Sequence, residues 1–176
     1  MLAFRDGDRS AFEALFARYT PRVLTFLTRL VRDRARAEEL TQDVFVRIYN
    51  AADRYEPKAR FSTWIFGIAH NLGLNELARA HRRYEQSETP LEELASADPA
   101  PGADQKVEAA QLRSRLERAL AKLPERQRAA LLLRSEQGLG YEEIAQALDA
   151  SVSSVKSLIH RAREALLAEL DEEGAK

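Results

Sequence analysis

Ser153, Lys156, Ser157 and His160 recur at i, i+3, i+4 and i+7, so a helix would gather them on one face. Hydroxyls, an ammonium and an imidazole are donors and acceptors that suit base edges in a DNA major groove. Arg161 and Arg163 follow, better placed for phosphates. No Asp or Glu occurs from Ser151 to Arg163, so nothing within the stretch repels a polyanion. The bland alternative is a helical hairpin with a solvated basic face. A second group begins at Asn71 and Asn75, one helical turn apart, and runs into Arg79, His81, Arg82 and Arg83. Paired amides can bond the edges of bases drawn out of the stack, and the cationic end suits a nucleic-acid backbone. Taken alone, two asparagines on a helix are more often ordinary solvated surface.

Chemistry of other kinds finds little support. His70, His81 and His160 are scattered, no HExxH or phosphate-binding GxxxxGKS/T run occurs, and no nucleophile has a base beside it. The absence of cysteine excludes disulfides and thiolate metal sites. The chain is therefore expected to be no enzyme, with no catalytic residues, no metal, no cofactor and no small-molecule substrate. No apolar run approaches the roughly 20 residues that cross a bilayer, and MLAFRDGDRS lacks a signal peptide's apolar stretch. A cytoplasmic protein with no direct membrane insertion is expected.

The elements that must position these residues read as helices. Phe12, Leu15, Phe16 and Tyr19 recur at helical spacing, and Val23, Leu24, Leu27, Leu30 and Val31 continue the stripe beyond Pro21. A second helix is predicted from about Asp33, a plausible N-cap, with Leu40, Val44, Phe45 and Ile48 on its apolar side. A third starts near Ser62, with Trp64, Ile65, Ile68, Ala69, Leu72 and Leu77 as apolar positions. Further along, Leu112, Leu116, Leu120 and Leu123 mark a helix that Pro124 interrupts, and Ala129, Leu132 and Leu133 mark the next. No alternating strand pattern competes. In the last stretch Ile144, Ala145 and Leu148 share a face, Asp149-Ala150-Ser151 makes a turn, and Val155, Leu158 and Ile159 face inward. That is the spacing of a helix-turn-helix, with Ser151 capping the recognition helix.

Charge divides the chain the same way. Residues 1–85 carry 15 Lys/Arg against 11 Asp/Glu, residues 86–110 one against six, and residues 111–176 balance at 11 and 11. The overall net of −1 hides two basic surfaces with an acidic stretch between them. The stretch is also rich in Ser, Pro and Ala and has few large apolar residues, so it reads as a flexible linker. The expected fold is all-α: two small helical domains, 1–85 and 111–176, joined by a flexible acidic linker at 86–110.

Five segments carry a family resemblance in order: AFEALFARY (11–19), AEELTQDVFVRIY (37–49), FSTWIFGIAHN (61–71), LPERQRAALLLR (123–134) and GYEEIAQALDASVSSVKSLIHRAR (140–163). Together they resemble the extracytoplasmic-function sigma factors, the minimal branch of the sigma-70 family, over nearly the whole chain. The resemblance implies an RNA polymerase sigma factor that initiates transcription of a specific regulon. Its first domain, sigma region 2, would bind the beta-prime clamp of core RNA polymerase and open the −10 element. Its second, region 4, would bind the beta flap and read the −35 element as duplex promoter DNA. Glu39, Gln42, Asp43 and Phe45 look like the clamp-binding segment. Asn71 and Asn75, with Arg79, Arg82 and Arg83, look like the residues that capture the exposed −10 strand. Lys156, Ser157, His160 and Arg161 match the −35 recognition helix, in agreement with the face derived from spacing.

Two positions depart from the family pattern. Leu158 stands where many relatives carry a basic residue, and Gly140 where a Ser or Thr often caps the first helix of the helix-turn-helix. The resemblance also implies an anti-sigma factor as partner, which can hold such a protein at the membrane. The alternatives are a stand-alone helix-turn-helix transcriptional regulator and a helical adaptor with no nucleic-acid role.

Overall fold

The computed structural model describes the backbone of residues 1–85 and 104–174, and every regular element in it is helical. After a single turn, α1 (Leu2–Arg5), the long helix α2 (Arg9–Val31) starts at Asp8, whose carboxylate accepts from the backbone N–H of Ser10 at 2.9 Å and Ala11 at 3.3 Å. Pro21 lies inside α2 without ending it, and the Thr25 hydroxyl donates to the Pro21 carbonyl at 2.8 Å. The helix stops at Arg32, which adopts the left-handed conformation with φ 63° and donates its N–H to the Thr28 carbonyl. Asp33 then caps α3 (Arg34–Asn50) by accepting from the Arg36 N–H at 3.0 Å, as its side-chain type led us to expect. A short 3-10 turn (Ala52–Arg54) leads to α4 (Phe61–Glu85).

Helices α2, α3 and α4 bury one another's apolar stripes. Val23, Phe26, Leu27 and Leu30 meet Leu40, Val44 and Ile48 of α3 and Ile65, Phe66, Ala69 and Leu72 of α4. The Phe26 and Phe66 rings meet edge-on at 5.6 Å. Gly73 of α4 packs directly against Leu30 of α2. A Cβ on Gly73 would lie 2.6 Å from Leu30 Cδ2.

The second half is built from α5 (Asp104–Lys122), α6 (Glu125–Ser135), α7 (Tyr141–Ala147) and α8 (Val152–Gly174). Leu120, Leu123, Leu132, Leu133, Ile144, Leu148, Val155 and Ile159 form its core. Pro124 ends α5 and sits at the N-cap of α6, where its missing N–H costs nothing. Gly138, at φ 69°, turns the chain from α6 towards α7, and Asp149, at φ 47°, turns it from α7 into α8.

The last residues of the segment read as a linker, 86–110, are helical. Helix α5 already begins at Asp104, because from Ala103 to Leu123 the chain has neither Gly nor Pro and consists mostly of strong helix formers. The remainder of the expected linker, 86–103, lies outside the described residues.

The two halves are packed together. Arg128 of α6 is buried and donates to the Leu30 carbonyl at the end of α2 at 2.9 Å, as well as to Ala121 and Leu123 carbonyls. Arg22 donates to both the side chain and the carbonyl of Gln137, and Arg29 pairs with Glu117 at 2.7 Å and with Glu136. Helix α7 lies on α4, with the Ala147 backbone 3.5 Å from where a Cβ of Gly67 would stand.

Candidate nucleic-acid interface

The recognition helix is positioned by its cap and its buried side. The Ser151 hydroxyl accepts from the Ser154 N–H at 3.1 Å, while Val155, Ile159 and Ala162 are buried. Ser153, Lys156, Ser157, His160, Arg161 and Arg163 are all exposed, as their spacing required. Leu158, read as inward, is half-buried. Two details escaped the spacing argument. Glu164, one residue beyond the acid-free stretch, sits 3.3 Å from His160 Nδ1, so a carboxylate does border the face. Tyr141 of α7 lies under Lys156, with the ammonium 5.7 Å from the ring centroid, and Arg134 approaches the same ring at 5.0 Å. An aromatic in the first turn of the supporting helix was the only sequence signal for that contact.

Gly140 provides no side-chain cap, but Glu143 compensates by accepting from the Gly140 N–H at 2.8 Å. The other Glu143 oxygen takes the Thr63 hydroxyl at 3.3 Å and lies 3.7 Å from Arg60, so this cap also reaches α4.

On α4, Asn71, Asn75, Arg79 and Arg82 form an exposed stripe at i, i+4, i+8 and i+11. Its N-terminal continuation, Trp64 and Ile68, borders a shallow groove of about 320 Å³ against Gln146, Ala147 and Asp149 of the helix-turn-helix. Trp64 is half-buried there and stacks near Tyr55 at 4.9 Å, in keeping with a packing role. Between Ala69 and Asn71, His70 is buried, and among the described residues neither ring nitrogen has a hydrogen-bond partner. Burial first, then the nearby Arg126 charge, pushes its pKa down to about 4, with the Asn71 side chain opposing. His70 is therefore neutral at ordinary pH.

Arg83 does not join the exposed stripe in the same way. Its guanidinium turns back to Glu76, 2.9 Å away, and Glu76 also binds Arg36 of α3 at 2.8 Å and lies 3.9 Å from Arg79. Glu76 is 3% exposed. The Arg36 hydrogen bond is the main influence holding its carboxyl below the usual carboxylate range, with Arg83 adding to it against burial. Spacing at i+3 and i+7 links Glu76 to Arg79 and Arg83 in the sequence, whereas Arg36, forty residues earlier, does not reveal itself.

On α3, Glu39, Gln42 and Asp43 lie together on the exposed face. Phe45 does not join them. It is 4% exposed and packs on Phe16 at 4.7 Å and edge-on to Phe12 at 6.4 Å, on the apolar side of α3 that its spacing predicts and beneath the exposed trio. The apolar side chains exposed beside the polar trio are Val46 at 56% and Tyr49 at 53%. Among the described residues, no cluster of His, Asp or Glu could hold a metal ion, and no helix is long and apolar enough to cross a membrane.

Comparison with known proteins shows which family the chain belongs to. The family profile of sigma-70 region 2 matches residues 15–96, and that of sigma-70 region 4 matches residues 113–166. Over its whole length the chain is 37% identical to all of the RNA polymerase sigma factor CarQ of Myxococcus xanthus. The chain belongs to the sigma-70 family. Within it, the extracytoplasmic-function branch is the match: 92% of this sigma factor aligns with 87% of the sigma-E factor of Escherichia coli K12 at 34% identity. The fold agrees with that of the sigma factor RpoE of Bartonella quintana, solved with the anti-sigma factor NepR, at a TM-score of 0.76 over 92% of this chain and 97% of that one, with 23% identity. A match to region 2 beside region 4 favours an RNA polymerase sigma factor over the stand-alone regulator.

Proposed function

We propose that this sigma factor uses α4 to capture the non-template strand of an opened −10 element and α8 to read the −35 element as duplex. The observation that carries the reading is the exposed stripe Asn71, Asn75, Arg79 and Arg82. Each amide offers a donor and an acceptor to an unstacked base edge, and the arginines beyond them meet the backbone. On α8, Lys156, Ser157 and His160 face base edges and Arg161 and Arg163 face phosphates.

Core polymerase docks on the α3 face of Glu39, Gln42 and Asp43, where Val46 and Tyr49 supply the apolar contact. The beta flap engages the second half. The polymerase performs all the bond making. In the free chain α7 lies along the Trp64–Asn71 part of α4, so a strand can follow that face only after α7 withdraws. Since the RpoE relative was solved bound to an anti-sigma factor, a partner of that class is proposed here, holding the chain inactive in the cytoplasm or at the membrane.

Run-off transcription with purified core polymerase and genomic fragments tests the reading. The chain should confer promoter-specific initiation, and Asn71→Ala should abolish it while −35 duplex binding survives. Absence of promoter-specific transcripts with the unaltered chain would sink the reading.

A further inference from the structure

Three cations meet one buried carboxylate at the seam between the polymerase-facing helix α3 and the DNA-facing helix α4. Glu76 Oε2 receives Arg36 of α3 at 2.8 Å, Oε1 receives Arg83 of α4 at 2.9 Å, and Arg79 stands 3.9 Å from Oε2. Arg36 also pairs with Glu39, on the face assigned to polymerase. A continuous set of ion pairs thus runs from Glu39 through Arg36 and Glu76 to Arg83.

Only Glu76 is withdrawn from water. Its side chain is 4% exposed, while those of Arg79 and Arg83 are 62% and 69% exposed. A guanidinium has five N–H donors in a rigid fork, so Arg83, held by one nitrogen, keeps its other donors for solvent or a phosphate. An arginine tethered at one edge loses less side-chain freedom on binding than one that is free.

We propose that Glu76 is a positioning residue for −10 capture, fixing Arg83 and Arg79 of α4 relative to the polymerase-docked helix α3 through Arg36. The proposal rests on the −10 reading above. Glu76 itself carries the wrong charge to touch DNA, and that gives the test its direction. Removing a carboxylate beside DNA-binding cations would strengthen DNA binding if Coulomb attraction were the whole effect. Loss of positioning predicts the reverse.

The experiment measures open-complex lifetime with reconstituted holoenzyme on a promoter that the unaltered chain opens. Glu76→Gln should shorten the lifetime by about tenfold, the scale of one charge-assisted hydrogen bond, while affinity for core polymerase and for −35 duplex stays unchanged. An equal or longer lifetime would overturn the proposal. The exchange Arg36→Glu with Glu76→Arg separates orientation from folding. It restores an α3–α4 ion pair but places a like charge beside Arg79 and Arg83, so stability should return and lifetime should not. Recovery of both would show a purely structural pair and also overturn the proposal. Failure of the unaltered holoenzyme to open any promoter would instead strike the −10 reading itself.

Discussion

The Arg128 guanidinium donates to the main-chain carbonyl of Leu30, 98 residues earlier, at 2.9 Å. Through this contact a residue of the helix-turn-helix half closes the end of α2 in the other half. Its remaining hydrogen bonds, to the Ala121 and Leu123 carbonyls, close the end of α5. One buried cation thus meets two helix C-termini, where carbonyls without intrahelical partners favour positive charge.

Replacing Arg128 with Leu should lower stability by about 2–4 kcal/mol, because buried carbonyls lose a charged donor. Urea unfolding followed by circular dichroism measures it. A loss below measurement error would mean that water serves those carbonyls equally well.

His70 makes stability depend on pH. Its pKa is about 4 in the folded chain against an ordinary 6.5, so between these values the unfolded chain binds the extra proton. Stability should therefore fall as pH drops from 6.5 towards 4, by at most about 1.4 kcal/mol per unit from this group. The depressed carboxyl of Glu76 adds a loss of the same sign at the acid end, as that carboxylate is protonated. Thermal melts of His70→Leu against the unaltered chain across this range isolate the histidine, and the difference between them should become independent of pH above pH 7.

Gly67 sets how closely α4 and α7 approach. Gly67→Ala places its methyl in ordinary contact with Ala147 and should leave the two halves together. Gly67→Leu needs space that the Ala147 backbone occupies and should part them. Small-angle scattering should then give a larger radius of gyration with helical content unchanged. An unchanged radius would show that the Arg22, Arg29 and Arg128 contacts hold the halves closed without α7.

Lys156→Ala should weaken −35 duplex binding by about 1–3 kcal/mol if the ammonium reads a base. Tyr141→Leu keeps the cation but removes the ring beneath it, so a smaller loss is expected. Fluorescence anisotropy at fixed salt compares the two. Equal losses would mean that the ring acts only by holding Lys156.

Helix positions were legible in the sequence because apolar period, capping and chain breakers are local. Asp33 and Ser151 cap the helices they were expected to cap, and the outward face of α8 follows directly from the inward burial of Val155 and Ile159. The same reasoning placed Asn71 and Asn75 on one exposed stripe, though their task came from family resemblance. Local pattern also placed Phe45 on the apolar side of α3, where Phe12 and Phe16 of α2 receive it, while the binding role given to it came from family resemblance alone.

What tertiary structure alone decided is the set of pairings between distant residues. Arg36 finds Glu76, Arg128 finds Leu30, and Gly67 meets Ala147 because the packing of α2, α3, α4, α6 and α7 brings them together. A side chain's periodic position states which way it faces within its own helix. It does not state which helix lies opposite, and a buried charge is tolerated only where that opposite helix supplies its partner.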